Sequence, residues 1–247
     1  MSTIIRYDKI RTVETGFNPA AQNMAIDEAL TESVGEVPIL RIYGWRPAAV
    51  SIGYFQSMNE EVDFTKCREI GVDIVRRLTG GGAVLHEYEL TYSFISRRYP
   101  QNIEESYKWI CDAIVISINR LGFDASFVPL NDIVIAGKKV SGNAQTRRKG
   151  VLLQHGTILL GVDINKMFSV LKVPSEKLRD KIIEDVKERV TSLAGTTYDN
   201  MATSLKTSFA AKFEAKLISD SLSTEEISHA RWLAARKYSS NEWNLRR

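Results

Sequence analysis

The chain has 247 residues, 44% hydrophobic and 26% charged, with a formal net charge of +3. Those values fit one large domain, 1–247, able to bury its own core, and so small a charge gives no argument for nucleic acid as a partner. Cys67 and Cys111 stand far apart with no CxxC spacing, no apolar run could span a bilayer, and Met1–Tyr7 carries no secretion signal, so the expectation is a reduced, cytoplasmic protein without a membrane role.

In chain order, Asn18-Pro19 starts a helix over Ala20–Val34 that Gly35 ends. Pro38–Trp45 and Ala48–Phe55 read as strands joined at Arg46-Pro47, Glu60–Ile70 as a helix, and Val72–Arg76 as a short strand. Ala83–His86 and Leu90–Ser96 read as a further pair of strands around Glu87-Tyr88-Glu89. Apolar residues at helical spacing predict a helix over Ile103–Leu121, with Gly122 at its stop. Ser126–Val128, Asp132–Ala136 and Val151–Gly161 are strand candidates, with Gly137–Gly150 as the link between the last two. From Asn165 onward the pattern is helical, clearest at Thr197–Phe213 and Thr224–Lys237. Short turns between neighbouring strands favour an α+β fold with a mixed or mostly antiparallel sheet flanked by helices, over a doubly wound parallel one.

Arg76-Arg77-Leu78-Thr79-Gly80-Gly81-Gly82-Ala83-Val84-Leu85-His86 is the most informative segment. Glycine lets backbone approach a ligand closely, and exposed N–H groups in such a turn form an anion site. Two arginines beside it suggest a phosphate-bearing ligand; the competing reading is a mobile loop between strands. A second run, Asn131-Asp132-Ile133-Val134-Ile135-Ala136-Gly137-Lys138-Lys139-Val140-Ser141-Gly142-Asn143-Ala144, places lysines at a glycine turn. Such a lysine could meet a carboxylate or phosphate, or be a hairpin-tip lysine facing solvent. P-loop, GxGxxG and GxSxG patterns are absent, and His86, His155 and His229 lack metal-ligand spacing. His86 and His155 read as structural histidines.

Taken together, RRLTGGGAVLHEYELTYSF and NDIVIAGKKVSGNAQTRRKGVLLQHGTILL resemble the catalytic domain of lipoate–protein ligase, within the biotin/lipoate ligase and octanoyltransferase superfamily. Weaker similarity runs over nearly the whole chain, through Asn23–Leu30, Ser51–Gln56 and Glu188–Leu193. The resemblance implies ATP-dependent activation of lipoate to lipoyl-AMP, followed by transfer to a lysine of a lipoyl domain. ATP and Mg2+ are the implied cofactors. The implied acceptors are the E2 subunits of 2-oxoacid dehydrogenases and the glycine cleavage H protein. By similarity, Arg76, Arg77, Gly82, Ala83, Val84, Leu85 and Lys139 would bind ATP. Gly80, Gly81, Gly82, His86 and Lys139 would bind lipoate, and Asn131, Asp132, Ser141 and Gly142 would support them. Asp132 is also the candidate Mg2+ ligand, and Lys139 is the implied catalytic cation.

The neighbouring octanoyltransferase branch uses a cysteine nucleophile and no ATP, and Gln145-Thr146-Arg147 and Leu153-Gln154-His155-Gly156 are close to its wording. Its cysteine should precede the Gly-Lys-Lys-Val turn, where this chain has Pro129-Leu130-Asn131-Asp132, so ligation is the expectation. A non-catalytic binding protein of the same fold is the remaining alternative. The chain ends at Asn241-Glu242-Trp243-Asn244-Leu245-Arg246-Arg247, without the accessory domain of many ligases, so a separately encoded accessory partner is expected for adenylate formation.

Overall fold

The computed structural model describes residues 5–173 and 179–247. Part of the helical expectation after Asn165 falls on residues 174–178 and lies outside the described residues. The first half of the chain runs β1 (Lys9–Asn18), α1 (Ala20–Ser33), β2 (Ile39–Trp45), β3 (Ala49–Ile52), α2 (Met58–Glu61), α3 (Phe64–Glu69), β4 (Asp73–Arg76), β5 (Val84–His86), β6 (Glu89–Ser96) and α4 (Ile103–Asn119). There follow β7 (Ala125–Val128), β8 (Asp132–Ile135), β9 (Lys138–Arg148), β10 (Val151–Leu159), α5 (Ile164–Val170), α6 (Arg179–Arg189), α7 (Tyr198–Phe213), β11 (Lys216–Asp220), α8 (Thr224–Leu233), a π-helical turn over Ala234–Tyr238, and α9 (Asn241–Asn244).

Eight of these strands form one sheet in the order β11-β1-β2-β6-β10-β9-β8-β7, and three form a second, β4-β3-β5. Pairing is antiparallel from β2 through to β7, and parallel where β1 meets β2 and β11. The architecture is therefore α+β with a mixed, mostly antiparallel sheet, as the short turns suggested.

Alternation along the central strands separates two cores. Leu40, Ile42, Tyr92, Phe94 and Leu152 face α4 and α7, whereas Ile39, Tyr43, Ile95 and Leu153 face α1 and α8. Every residue of β2 and β6 is buried, as expected of strands covered on both faces. A third cluster packs the small sheet against α2, α3 and α5 through Val50, Ile52, Met58, Cys67 and Val170.

Several expectations need correction. The pair around Glu87–Glu89 is not a hairpin: β5 pairs with β3 in the small sheet and β6 joins the large one, so this turn carries the chain between sheets. The Glu60–Ile70 helix is two pieces, because Val62 bridges to Leu171 and Asp63 then caps α3 by accepting from Lys66 N at 2.8 Å. Gly137–Gly150 is a strand, β9, joined to β8 by a two-residue turn with Ala136 at φ 48° and Gly137 at φ 77°. Positive φ at both positions matches the twist of an antiparallel hairpin. The sequence pattern assigns no element to Lys9–Asn18 and leaves Lys216–Asp220 within the mostly helical stretch after Asn165, between its two clearest helices, yet the two segments are parallel neighbours at the sheet's edge. Their charged residues hide the strand pattern.

Phe94 in β6 stacks on Phe213 at 5.4 Å between ring centres and also meets Tyr7, Trp109 and Phe209. Phe94→Ala is expected to cost about 3–5 kcal/mol of stability by leaving a cavity there. Urea unfolding checks this through a lower midpoint, and a loss under about 1 kcal/mol would mean that the ring is not tightly packed.

Candidate active site

A cavity of about 360 Å3 opens between the two sheets, walled by the glycine loop, β5, β9, β10 and the Val186–Val190 end of α6. Its lining is largely apolar, with Met24, Trp45, Ala83, Val84, Leu85, Leu159, Val162 and Met167 among the side chains, and Lys139 as the flexible cation on its wall. Ligand sites of this size and character, ~300–1,000 Å3 with a few placed polar groups, are the usual home of small organic substrates.

The loop is rigid because of Arg77. Its side chain is almost fully buried and its five N–H groups have five protein contacts. Nε donates to Thr79 Oγ1 at 3.2 Å, Nη1 to Ser51 O and Oγ at 3.0 and 3.1 Å, and Nη2 to Gly80 O and Gly82 O at 2.8 and 2.7 Å. Burial pulls the guanidinium down to about 10. Gly81, at φ 97°, is where the backbone folds around that guanidinium. Arg76 is fully buried and turned away from the cavity. It donates to Gly53 O, Tyr54 O and Gln56 O from Nη1, and to Trp243 O and Asn244 O from Nε and Nη2. In this structure the partners of both arginines are internal, Arg77 lining the cavity and Arg76 lying outside its wall. Each arginine satisfies clustered carbonyls that would otherwise be buried without partners.

Beneath the loop lies a continuous polar network that the motifs did not reveal. Asp27 of α1 accepts from Arg41 Nη1 at 2.7 Å, Tyr43 Oη at 3.0 Å and Ser93 Oγ at 2.8 Å, and lies 3.1 Å from His155 Nδ1. His155 Nε2 is 2.7 Å from Thr79 Oγ1, which ties this group to Arg77. On the other side, Ser51 Oγ is 2.7 Å from His86 Nε2, and His86 Nδ1 is 2.7 Å from Glu89 Oε1. Trp45 stacks on His86 at 4.0 Å and donates to Thr91, which donates to Glu89. Burial by itself would raise the Asp27 carboxyl, but Arg41 and His155 outweigh it and hold it below its ordinary value of 3.8. Burial pushes His155 below 6.5, only partly offset by Asp27. One sequence signal was available: Arg41 interrupts the apolar run Ile39-Leu40-Arg41-Ile42-Tyr43, and an arginine buried in a strand needs buried acceptors for its donors, here Asp27 among them.

Lys139 reaches the cavity because β9 carries a bulge against β8, with its register shifting between Ile133 and Val134. The additional residue puts Lys139 and Gly142, three apart, on the same side. A Cβ at position 142 would lie 2.8 Å from Lys139 Cε and 2.9 Å from Nζ, so glycine there leaves the path of the lysine clear. Lys138 is exposed to solvent, whereas the Lys139 side chain is 42% exposed, with Nζ 2.7 Å from Asp132 Oδ1. That oxygen is buried, and the lysine is ion-paired with it while its side chain remains partly exposed. Val190 bridges to Lys139 and Thr191 N donates to Lys139 O at 2.8 Å, so the Glu188–Leu193 segment fixes its backbone.

Asn131 and Asn143 clasp each other: Asn143 Nδ2 donates to Asn131 O at 2.9 Å, and Asn131 Nδ2 donates back to Asn143 O. Ser141 is buried beneath them. Gly80 does not line the cavity, while Gly81, Gly82, Ala83, Val84, Leu85, His86, Asn131, Lys139 and Gly142 all do. Among the described residues no three His, Cys, Asp or Glu side chains converge, and the observed partner of Asp132 is Lys139.

Two tests follow from this geometry. Gly142→Ala should shift the melting temperature by only a few degrees, because the lysine tip can yield, while slowing turnover at least ~10-fold by displacing a charge from the reacting centre; unchanged turnover would remove the lysine's position from the argument. Asp27 and His155 both hold fewer protons folded than unfolded, so stability rises with pH. Acidification should therefore cost stability first as pH falls through 6.5, where unfolded His155 takes up a proton, and again around 3.8 for Asp27. Denaturation midpoints across that range check the sign, and His155→Gln should flatten the upper step.

The model of the lipoyl protein ligase A/B catalytic domain matches residues 19–214. Octanoyltransferase LipM of Kyrpidia tusciae is 40% identical, with 96% of this chain and 98% of that protein covered, and LipM of Bacillus subtilis is 36% identical with the same coverage. Among solved structures, a bi-partite lipoate protein ligase from Thermoplasma acidophilum, studied with its E2 lipoyl domain, superimposes with a TM-score of 0.89 at 36% identity, covering 96% of both chains. A lipoate-protein ligase A bound with ATP gives a TM-score of 0.85 at 31% identity, covering 96% of this chain and 98% of that one. The curated relatives overturn the expected ATP-dependent, AMP-forming lipoate ligase and its cofactors ATP and Mg2+: near-full-length relatives at 33–40% identity are octanoyltransferases, which move an acyl group. From Pro19 to the end of α7, in its paired sheets and in its glycine-loop cavity, the chain belongs to the lipoyl protein ligase A/B catalytic-domain family.

Proposed function

We propose that this protein transfers a medium-chain acyl group from an activated thioester donor to the ε-amine of a lysine on a lipoyl-domain protein. The observation that carries this reading is an apolar cavity with Lys139 on its wall, where Arg77, the arginine that lines it among the described residues, is engaged by the carbonyls of Ser51, Gly80 and Gly82. Such a slot binds a hydrocarbon tail: at ~0.8 kcal/mol per buried CH2, the six methylenes of an octanoyl chain are worth about 5 kcal/mol before binding costs. Lys139 is suited to the carbonyl end. Attack on a carbonyl concentrates negative charge on its oxygen, and a cation placed there stabilises the transition state more than the ground state.

The similarity to octanoyltransferases supports the acyl group, and the Thermoplasma neighbour supports a lipoyl domain as the acceptor class. Domains of the E2 subunits of 2-oxoacid dehydrogenases and the glycine cleavage H protein are the acceptors to assay. An accessory subunit, expected for adenylate formation, has no step to serve when the donor is already activated.

The test is an octanoyl thioester incubated with the protein and an apo-lipoyl domain, read by intact mass of the acceptor. One octanoyl group per lipoyl domain is the expected product without nucleotide; modification that requires free octanoate and ATP would overturn the reading. In the same assay Lys139→Ala should lower kcat by roughly 10²–10³, the loss typical of one oxyanion-stabilising group. A mainly KM-directed effect would assign the lysine to binding.

A further inference from the structure

We infer that Tyr92 is a positioning residue for the transfer reaction: reaching across one strand of the sheet, its hydroxyl holds Asn143 so that the adjoining end of β8 keeps Asp132, and through it Lys139, in place. The inference rests on the acyl-transfer reading above, since it gives Tyr92 a part in the step that Lys139 serves. It is carried by a series of hydrogen bonds whose direction is fixed at every link.

Tyr92 lies on β6 and Asn143 on β9, with β10 between them, and Gly156 is the β10 partner of both. Strands two apart are separated by ~9–10 Å, so a tyrosine spans that gap only where the intervening position carries no side chain. A Cβ at Gly156 would lie 2.0 Å from Asn143 Oδ1 and 2.9 Å from Tyr92 Cε1. Glycine therefore opens the path along which Tyr92 Oη donates to Asn143 Oδ1 at 2.7 Å.

The directions follow from one backbone carbonyl. Asn131 O can only accept, and it takes Asn143 Nδ2 at 2.9 Å. That fixes the Asn143 amide, so Oδ1 faces Tyr92 and the phenol must donate. Burial holds the Tyr92 phenol well above its ordinary value of 10, which keeps the proton on the oxygen. The Tyr92 oxygen then accepts from Gln154 Nε2, and Gln154 Oε1 accepts from Gln145 Nε2 at 2.6 Å. Tyr92, Gln154 and Asn143 are all buried, so a missing link would leave a polar group without a partner.

At its far end the series reaches the lysine. Asn131 O also accepts from Asn143 N at 3.1 Å, and Asn131 Nδ2 donates back to Asn143 O. These bonds lie just beyond Asp132↔Gly142, the terminal pair of the β8–β9 ladder. A strand end that is not tied down frays, and the residue at this end is Asp132, whose Oδ1 is 2.7 Å from Lys139 Nζ. Asn131, Lys139, Gly142 and Asn143 line the cavity, whereas Tyr92 does not. Its influence on the reaction passes through Asn143 and the strand end.

Tyr92→Phe keeps the ring and deletes only the hydroxyl. In transfer from S-octanoyl-N-acetylcysteamine to an apo-lipoyl domain, kcat per folded molecule should fall about 5- to 20-fold, with the thioester KM within about twofold of wild type. A tyrosine that served packing alone would lower the folded fraction, taken from circular dichroism, and leave that kcat unchanged. A cycle with Asp132→Asn adds the second readout: on that background Tyr92→Phe should change kcat by less than about twofold. Unchanged kcat, a loss confined to KM, or equal losses on both backgrounds would overturn the inference. Should Tyr92→Phe fold too poorly to assay, Gln154→Met removes the donor behind the phenol, and the same cycle decides: coupling to Asp132→Asn supports the inference and additivity overturns it. No transfer from the thioester by the wild type would sink the proposed function and this inference with it; transfer without coupling would sink this inference alone.

Discussion

The carboxylate of Asp27 lies in the interior of the molecule, and it stays ionised there because Arg41 is held against it from the facing strand. An unpaired charge at that depth would be prohibitive, whereas a paired and fully hydrogen-bonded one is tolerated and directional. Asp27 then fixes Tyr43, Ser93 and His155, and His155 fixes Thr79. Helix α1, the central strands and the glycine loop are therefore referred to one buried charge. Where the loop sits decides where the cavity opens.

The cations divide into two kinds. Arg41, Arg76 and Arg77 are buried and act on backbone and side-chain oxygens, a task suited to a planar fork with five donors. Arg76 joins the 53–56 turn to the last helix through Trp243 and Asn244, so the end of the chain is part of the scaffold behind the loop. Lys139 is different in kind: a point charge on a flexible stem, ion-paired with Asp132 at 2.7 Å and partly exposed. Such a group can follow charge as it develops on a substrate, at a small reorganisation cost.

The chemistry is set by what surrounds that lysine. On the proposed reading, the apolar wall would take the acyl tail and exclude water, which strengthens the interaction between ammonium and oxyanion. The histidines on the wall are each bonded at both ring nitrogens, His86 to Ser51 and Glu89, His155 to Thr79 and Asp27. They shape the cavity, and their ring nitrogens are already engaged by protein partners. The same scaffold is shared with relatives that carry a ligase name and relatives that carry a transferase name; a family fold positions an acyl chain, and the groups at its end determine how that chain is activated.

Much of this was legible in the chain itself. Apolar periodicity gave α4 and α7, turn residues gave the antiparallel character, and the glycine run with the Gly-Lys-Lys turn marked both walls of the cavity. Local pattern could not assign the charged edge strands β1 and β11, whose pairing is parallel and distant in sequence. Nor could it tell an arginine aimed at a ligand from one aimed at carbonyls: Arg76 and Arg77 are adjacent and chemically identical, and their roles follow from which oxygens the folded backbone brings within 3 Å. What the sequence determined by itself was the set of groups and the elements that carry them. What the tertiary structure decided was which donors remain free, because hydrogen-bond saturation depends on every neighbour at once, and that is known only when the chain has closed on itself.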